Sequence, residues 1–382
     1  MSDFQPARRL RGIEKSLIRQ TFDRARPGSI NLGLGEPDLA TPDVVRRVAA
    51  KVIIEEQNGY TSHAGLPALR ERIVNDYPQL NLNSDQVIVT AGSQEGLYLA
   101  LMTLVDEGDE VLLPDPGFVA YPTIVQMAGG KPTFYRLSAA RGFEFDADDF
   151  RRALTPKTKV VVCISPSNPT GRTLKPEQLA EMAAALKEVN AFVISDEIYR
   201  ELYFTTDKPE SISNYYPRTI VISGVSKSLS MTGWRLGWLA GDQDFIKSAL
   251  VLHGYVTTCA AAISQKAVLQ AAWTNEAEED RARMRKIFRE RRDHLLSLME
   301  NELGLEAVSP DGAFYTMVNV GKYGDSKTVT DVLLEEGVIT VPGVAFGKES
   351  EGFLRVSFCA EKDVLTEGVR RIGNALTRLR QG

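Results

Sequence analysis

From about residue 86 to residue 223 the chain alternates short, continuously apolar runs with stretches of helical period. This alternation limits the possible folds more than any other feature. The runs fall at 86–90, 110–114, 159–165, 191–195 and 219–223, and helical spacing fills 93–105, 118–128 and 176–189. A strand that is apolar along its whole length has both faces covered, and parallel neighbours are joined by crossovers long enough to hold a helix. The pattern predicts an α/β fold: a mostly parallel central sheet flanked by helices. Past residue 242 the spacing predicts long helices to about 303. Strands near 313–320 and 353–359 and a closing helix from about 362 follow. At the other end, 7–26 reads as one basic amphipathic helix. Thr41-Pro42 reads as an N-cap followed by proline at the first helical position, opening a helix to about 57. A chain of 382 residues exceeds one simple core. We expect a large α/β domain over 41–285 and a smaller α+β domain built from 1–40 and 286–382.

Composition narrows the function classes. A net charge of −5, from 45 basic and 50 acidic residues, provides no field for nucleic acid. The arginine-rich stretch 281–292 is interleaved with acidic and apolar residues, as on a solvated helix face. Cys163, Cys259 and Cys359 form no CxxC pair and read as reduced thiols rather than disulfides or a zinc site. The three histidines have no ligand spacing, so no metal is expected. Residues 1–6 lack the apolar core of a signal peptide, and no run reaches ~18 apolar residues. A cytoplasmic protein without membrane contact is expected.

Ligands of open α/β sheets sit at the carboxyl ends of the strands, so the residues that follow each run matter most. After the first run comes Ala91-Gly-Ser-Gln94 opening a helix, which makes a cradle of backbone N–H groups suited to phosphate. After the third comes the turn Pro166-Ser-Asn-Pro-Thr-Gly171, which presents the Asn168 amide. Asp196 and Tyr199 follow the fourth. Lys227 follows the fifth, set among serines and glycine so that something can approach its amine, with Arg235 eight residues on. Arginine offers a planar fork of donors matched to phosphate or carboxylate.

Gly224-x-Ser-Lys227, Ser230-Met231 and Gly233-x-Arg235-x-Gly237 resemble the lysine signature of the class I/II aminotransferases, pyridoxal-phosphate (PLP) enzymes of fold type I. Asn168-Pro-Thr-Gly171, Asp196-x-x-Tyr199, Gly33-x-Gly-Glu-Pro-Asp38 and Phe353-Leu-Arg-Val-Ser357 extend the resemblance over nearly the whole chain. It implies transfer of an amino group from an L-amino acid to a 2-oxo acid in two half-reactions. Lys227 would form the Schiff base with PLP and then shuttle the proton, with Asp196 and Tyr199 completing the catalytic set. Asp196 would keep the pyridine nitrogen protonated, and Tyr199 and Asn168 would donate to the ring oxygen. Phe118 would stack on the ring. The phosphate would be held by Arg235, Ser226 and the Gly92-Ser93-Gln94 turn. Tyr60, in Gly59-Tyr-Thr-Ser-His-Ala-Gly65, would reach across from a second copy, which makes a homodimer the expectation. Arg355 would grip the substrate carboxylate, with Asn168 and the backbone of Gly35 beside it.

Two departures bear on this. The family often has serine three residues before the lysine, where this chain has Gly224; Ser226 or Ser223 would have to compensate. One branch of aspartate aminotransferases reads a distal carboxylate with lysine at the place of Gln94, so the substrate side chain stays open. The alternative function is another PLP reaction on the same fold, a C–S β-lyase or an acyl-transferring synthase. A ligand-sensing regulator would need an additional DNA-binding module before the glycine-rich loop. A nicotinamide dehydrogenase would need the third glycine of GxGxxG, which Gly33-Leu-Gly35 lacks. Gly343-Val-Ala-Phe-Gly-Lys348 is one residue short of a P-loop and lacks its Ser/Thr.

Overall fold

The computed structural model describes residues 4–381. Met1–Asp3 and Gly382, which close the expected small domain at either end, lie outside the described residues, as does the first half of the segment read for a signal peptide.

The chain opens with helix α1 (Leu17–Arg24), strand β1 (Ile30–Asn31) and helices α2 (Asp43–Glu55) and α3 (Pro67–Val74). Strands and helices then alternate: β2 (Val87–Thr90), α4 (Ser93–Leu104), β3 (Glu110–Asp115), α5 (Ala120–Met127), β4 (Lys131–Arg136), α6 (Ala147–Ala153), β5 (Thr158–Ile164), α7 (Pro176–Val189), β6 (Phe192–Asp196), β7 (Thr219–Gly224) and β8 (Gly237–Ala240). Helices α8 (Gln243–Val256), α9 (Ala262–Ala271) and α10 (Asn275–Asn301) follow. The chain closes with β9 (Tyr315–Asn319), α11 (Ser326–Glu335), β10 (Val338–Ile339), β11 (Val341–Pro342), β12 (Phe353–Ser357) and α12 (Lys362–Gln381).

Seven strands form the central sheet in the order β2-β8-β7-β6-β5-β3-β4, and only β8 runs antiparallel to its neighbours. β2 and β7 are buried at every position and β5 at all but one, as two-sided helix cover requires. The mostly parallel α/β sheet is therefore the predicted one. The order brings the carboxyl ends of β2, β3, β5, β6 and β7, and the start of β8, to one edge. A second sheet, β11-β12-β9, is antiparallel throughout, and β1 pairs parallel with β10. α10 runs unbroken across positions 285 and 286. Among the described residues no helix is long and apolar enough to cross a membrane.

Three local expectations need correction. The segment 7–26 is not one helix. A short 3₁₀ turn at Arg8–Leu10 is separated from α1 by Gly12, at φ +78°, a left-handed conformation a helix cannot contain. α1 has its own N-cap, the Ser16 hydroxyl accepting from Arg19 N–H at 3.3 Å. Thr41 does not cap α2, because its hydroxyl donates to the Ser230 carbonyl at 2.8 Å and so ties this loop to the one carrying Lys227. β4 went unread because it is the sheet's edge strand, with one buried position in six and no continuous apolar run.

Candidate active site

Loops, helix starts and strand ends enclose a cavity of about 300 Å³ at the carboxyl edge of the sheet. Its wall on the β7 side is the turn carrying Ser226 and Lys227. Gly224 has no room for a side chain: a Cβ there would stand 2.8 Å from the Leu236 carbonyl and 2.9 Å from Gly237 Cα. Close approach of β7 and β8 thus explains the glycine where serine was the alternative. Ser223 turns away, its hydroxyl donating to the Glu197 carbonyl at 3.2 Å, which leaves Ser226 as the serine on the cavity.

Three cations face this space, and each is held only by neutral acceptors. Lys227 Nζ donates to the Gly35 carbonyl at 2.6 Å. Arg235 donates to the carbonyls of Thr232, at 2.9 Å, and Ala91, at 3.3 Å. Arg355, 2% exposed, donates to Asn168 Oδ1 at 2.9 Å and the Gly33 carbonyl at 2.6 Å. Its guanidinium lies 4.2 Å from the ring centroid of Tyr315 and 4.8 Å from that of Phe346, and its Nε is buried with no partner. Among the described residues none of the three forms an ion pair with a carboxylate. A buried guanidinium without a counter-charge is costly, so this one is arranged for an anion that arrives. The turn beside Arg235 fits the same purpose. Gly92 takes φ +87°, and a Cβ on it would stand 2.5 Å from Arg235 Nη2, so only glycine lets backbone and guanidinium meet here.

Asp196, at the end of β6, accepts from the Tyr121 hydroxyl at 2.8 Å and from Ile198 N–H at 3.3 Å. Burial pushes its carboxyl up to about 6 against those two bonds. Burial also lowers the Lys227 amine to about 8. Tyr199 and Tyr315 pair through their hydroxyls at 3.0 Å, and burial raises Tyr199 well above the usual range. Phe118 meets Tyr121 edge-on, ring centroids 5.5 Å apart.

Lys227, Asp196, Tyr199, Asn168, Arg235, Arg355, Ser226, Ser93, Gln94, Phe118 and Gly35 all border the cavity. Gly92 lies against Arg235 at its edge. Tyr60 is the residue the single chain leaves apart, 90% exposed in the loop after α2. Sequence reasoning missed Tyr121, although it stands three residues after Phe118 in a stretch already singled out. It also missed Tyr315, whose hydroxyl would be 2.4 Å from a Cβ on Gly35. It missed Ile18 and Thr232 as well, which reach the cavity from α1 and from the turn before β8. Nothing local marks Tyr315; its place follows from β9 pairing with β12, which sets Tyr315 opposite Ser357 and two positions from Arg355.

The model of the family "Aminotransferase class I and II" matches residues 27–372. An aspartate aminotransferase of Pyrococcus horikoshii is 35% identical over 378 residues, 97% of each chain. A probable N-acetyl-LL-diaminopimelate aminotransferase of Bacillus subtilis is 40% identical over 351 residues, covering 90% of this chain and 88% of its own. Among solved structures, the aspartate aminotransferase from Thermus thermophilus with maleate superposes with a TM-score of 0.92 at 32% identity, over 97% of this chain and 100% of that one.

Proposed function

Because this chain belongs to the class I and II aminotransferases, its activity is amino-group transfer between amino acids and 2-oxo acids, and we propose that it uses PLP held in the cavity beside Lys227. The observation that carries this reading is the set of three cations with neutral partners around one space, together with a buried carboxylate. That donor set fits a ligand with a phosphate at one end and a ring nitrogen at the other, plus a second anion, the substrate carboxylate. Arg235 and the N–H groups of Ser93 and Gln94 would hold the phosphate, with the Ser226 hydroxyl beside them. Asp196 would pair with the ring nitrogen, Asn168 and Tyr199 would donate to the ring oxygen, and Phe118 would stack on the ring. Bound there, PLP supplies an electron-accepting ring in conjugation with the reacting carbon.

Lys227 then serves twice, as nucleophile and as the base that moves the proton at the substrate Cα. Its amine suits both roles, since burial leaves a usable unprotonated fraction near neutral pH. Arg355 takes the substrate α-carboxylate in a two-pronged grip. The Tyr315 and Phe346 rings hold its plane fixed, and the Gly35 backbone lies alongside. Orientation is what the grip contributes: the Cα–H bond is presented to Lys227 rather than to solvent. Gln94 borders the cavity without a charge and so provides no cation for a distal carboxylate.

A homodimer and a cytoplasmic location are part of the same proposal, as is the division into a large unit, 41–285, and a small one from 1–40 and 286–382. Ile54, Tyr60 and Tyr255 are 81–90% exposed, a cost that burial against a second copy removes. The loop carrying Tyr60 packs on the end of α8, where a Cβ on Gly254 would lie 3.3 Å from His63 Nδ1. Sedimentation is expected to give twice the 42.1 kDa chain mass, and Ile54→Asp to give the single chain with most activity lost. A single-chain mass for the active wild-type protein would count against the dimer.

The deciding experiment titrates the PLP-reconstituted protein with single amino acids while following visible absorbance. A spectral change with one amino acid, reversed by a 2-oxo acid and with one 2-oxo acid formed per amino acid consumed, is the expected result and names the donor. Release of ammonia or a thiol without any acceptor would instead make the protein a lyase.

A further inference from the structure

The turn at the start of α4 is fastened from beneath by residues that touch neither the cavity nor anything expected to bind there. Glu95, the third residue of α4, folds its carboxylate back so that Oε2 accepts from Ala91 N–H, ahead of the turn. Oε1 receives the Thr257 hydroxyl and stands 3.0 Å from His253 Nδ1. The Glu95 side chain is 8% exposed and that of His253 0%. His253 Nε2 has no partner, so among the described residues the ring's one polar contact is Glu95. Burial alone would raise the Glu95 carboxyl, but the bonds from His253, Thr257 and Ala91 outweigh it and hold it below its ordinary value.

The geometry makes Ala91 the pivot. Its N–H is held by Glu95 and its carbonyl by Arg235 Nη2, while the Thr90 hydroxyl bonds the Gly92 carbonyl at 2.9 Å. Gly92 N–H bonds the Thr90 carbonyl at 2.8 Å, so the N–H groups of Ser93 and Gln94, which follow it, point where Glu95 sets the turn. An ordinary capping box would need only a surface Glu. Here the carboxylate is taken out of water and given a buried histidine from another helix, which an end cap alone does not require.

We propose that Glu95, held by His253 and Thr257, is the positioning residue of the anion-binding turn: it aims the Ser93 and Gln94 N–H groups at the phosphate and joins that turn to the end of α8. The proposal rests on the reading that this turn receives the phosphate of PLP.

The test measures the PLP dissociation constant by absorbance titration of the apo-protein, and separately kcat at saturating PLP. Glu95→Ala is expected to weaken PLP binding roughly 10- to 100-fold, the range for loss of charge-assisted hydrogen bonds, with kcat at saturating PLP within about threefold of wild type. Glu95→Gln keeps an acceptor for Ala91 and is expected to recover most of the loss. His253→Phe is expected to cost roughly three- to tenfold, and it carries the test should Glu95→Ala not fold. Inorganic phosphate should protect the wild-type apo-protein against heat and protect the Glu95→Ala protein less. A PLP dissociation constant within twofold of wild type in Glu95→Ala and His253→Phe, with only melting temperature lowered, would overturn the proposal and leave Glu95 a helix cap. Wild-type protein that binds no PLP would overturn the functional reading, and this inference with it.

Discussion

Lys227→Ala is expected to lower turnover by roughly 10⁴-fold or more, because in the proposed mechanism one atom performs two tasks and both would be lost together. General base catalysis alone contributes roughly 10²–10⁴, and loss of a nucleophile that works with it costs more. The amine is prepared for this. Burial lowers it from 10.5 to about 8, so near neutral pH the unprotonated fraction is about 300 times that of a surface lysine. The sign follows directly. A lysine whose folded value lies below its unfolded one costs stability while the unfolded chain is protonated, and the cost fades as pH rises from 8 through 10.5. The alanine variant should therefore match or exceed the wild-type apo-protein in stability at pH 7 while losing activity. Lys227→Arg keeps the charge but offers no free amine, and should be as inactive as Lys227→Ala. Turnover within tenfold of wild type in either variant, measured with the donor and acceptor found by titration, would remove Lys227 from the chemistry.

That Lys227 could be picked out at all reflects how the fold concentrates its chemistry. Each apolar run from 86 to 223 was legible, because a strand buried on both faces must be apolar throughout. Asp196, Asn168 and Lys227 were then found simply as what comes next. Arg235 was legible from its spacing, eight residues after Lys227, and from the resemblance; β8, which starts two residues on at that edge, went unread. What stayed hidden depends on contacts between distant segments. Tyr315 reaches Gly35 across 280 positions of sequence, and its role follows from strand pairing that no local pattern records. Tyr121 has its ring buried in the core, and only its hydroxyl, aimed at Asp196, reaches the site. Gly224 read as a departure, yet the crossing of β7 and β8 leaves no space for the serine it replaces. The N-terminal helix was overextended because amphipathic spacing continues through Gly12, while the backbone there does not. Short-range physics wrote the strands and their ends, and packing decided the rest.

Asp196→Asn is expected to divide activity from stability more sharply than any other single change. The swap conserves shape and removes only charge. In the wild-type apo-protein the carboxyl is buried and pushed up to about 6 from 3.8, so above pH 6 the fold carries an ionised group that the unfolded chain would hydrate more cheaply. Two units correspond to about 3 kcal/mol, present above pH 6 and relieved as pH falls towards 4, where folded and unfolded chains are both protonated. Asparagine never bears that cost. It keeps an acceptor for the Tyr121 hydroxyl but loses the bond from Ile198 N–H, a deficit of about 1 kcal/mol. The apo variant should thus be more stable than wild type by about 2 kcal/mol at pH 8, and the advantage should vanish near pH 4 in paired denaturant titrations. On the proposed reading activity should move the other way, by roughly 10³-fold, since a neutral amide could not hold a proton on the ring nitrogen of PLP. The charge that weakens the empty protein would then be the one the loaded enzyme requires, because a cation placed against Asp196 would repay its burial. A variant that is less stable than wild type at pH 8 would mean Asp196 is already compensated within the fold. One that keeps activity within tenfold would mean the ring nitrogen's partner lies elsewhere.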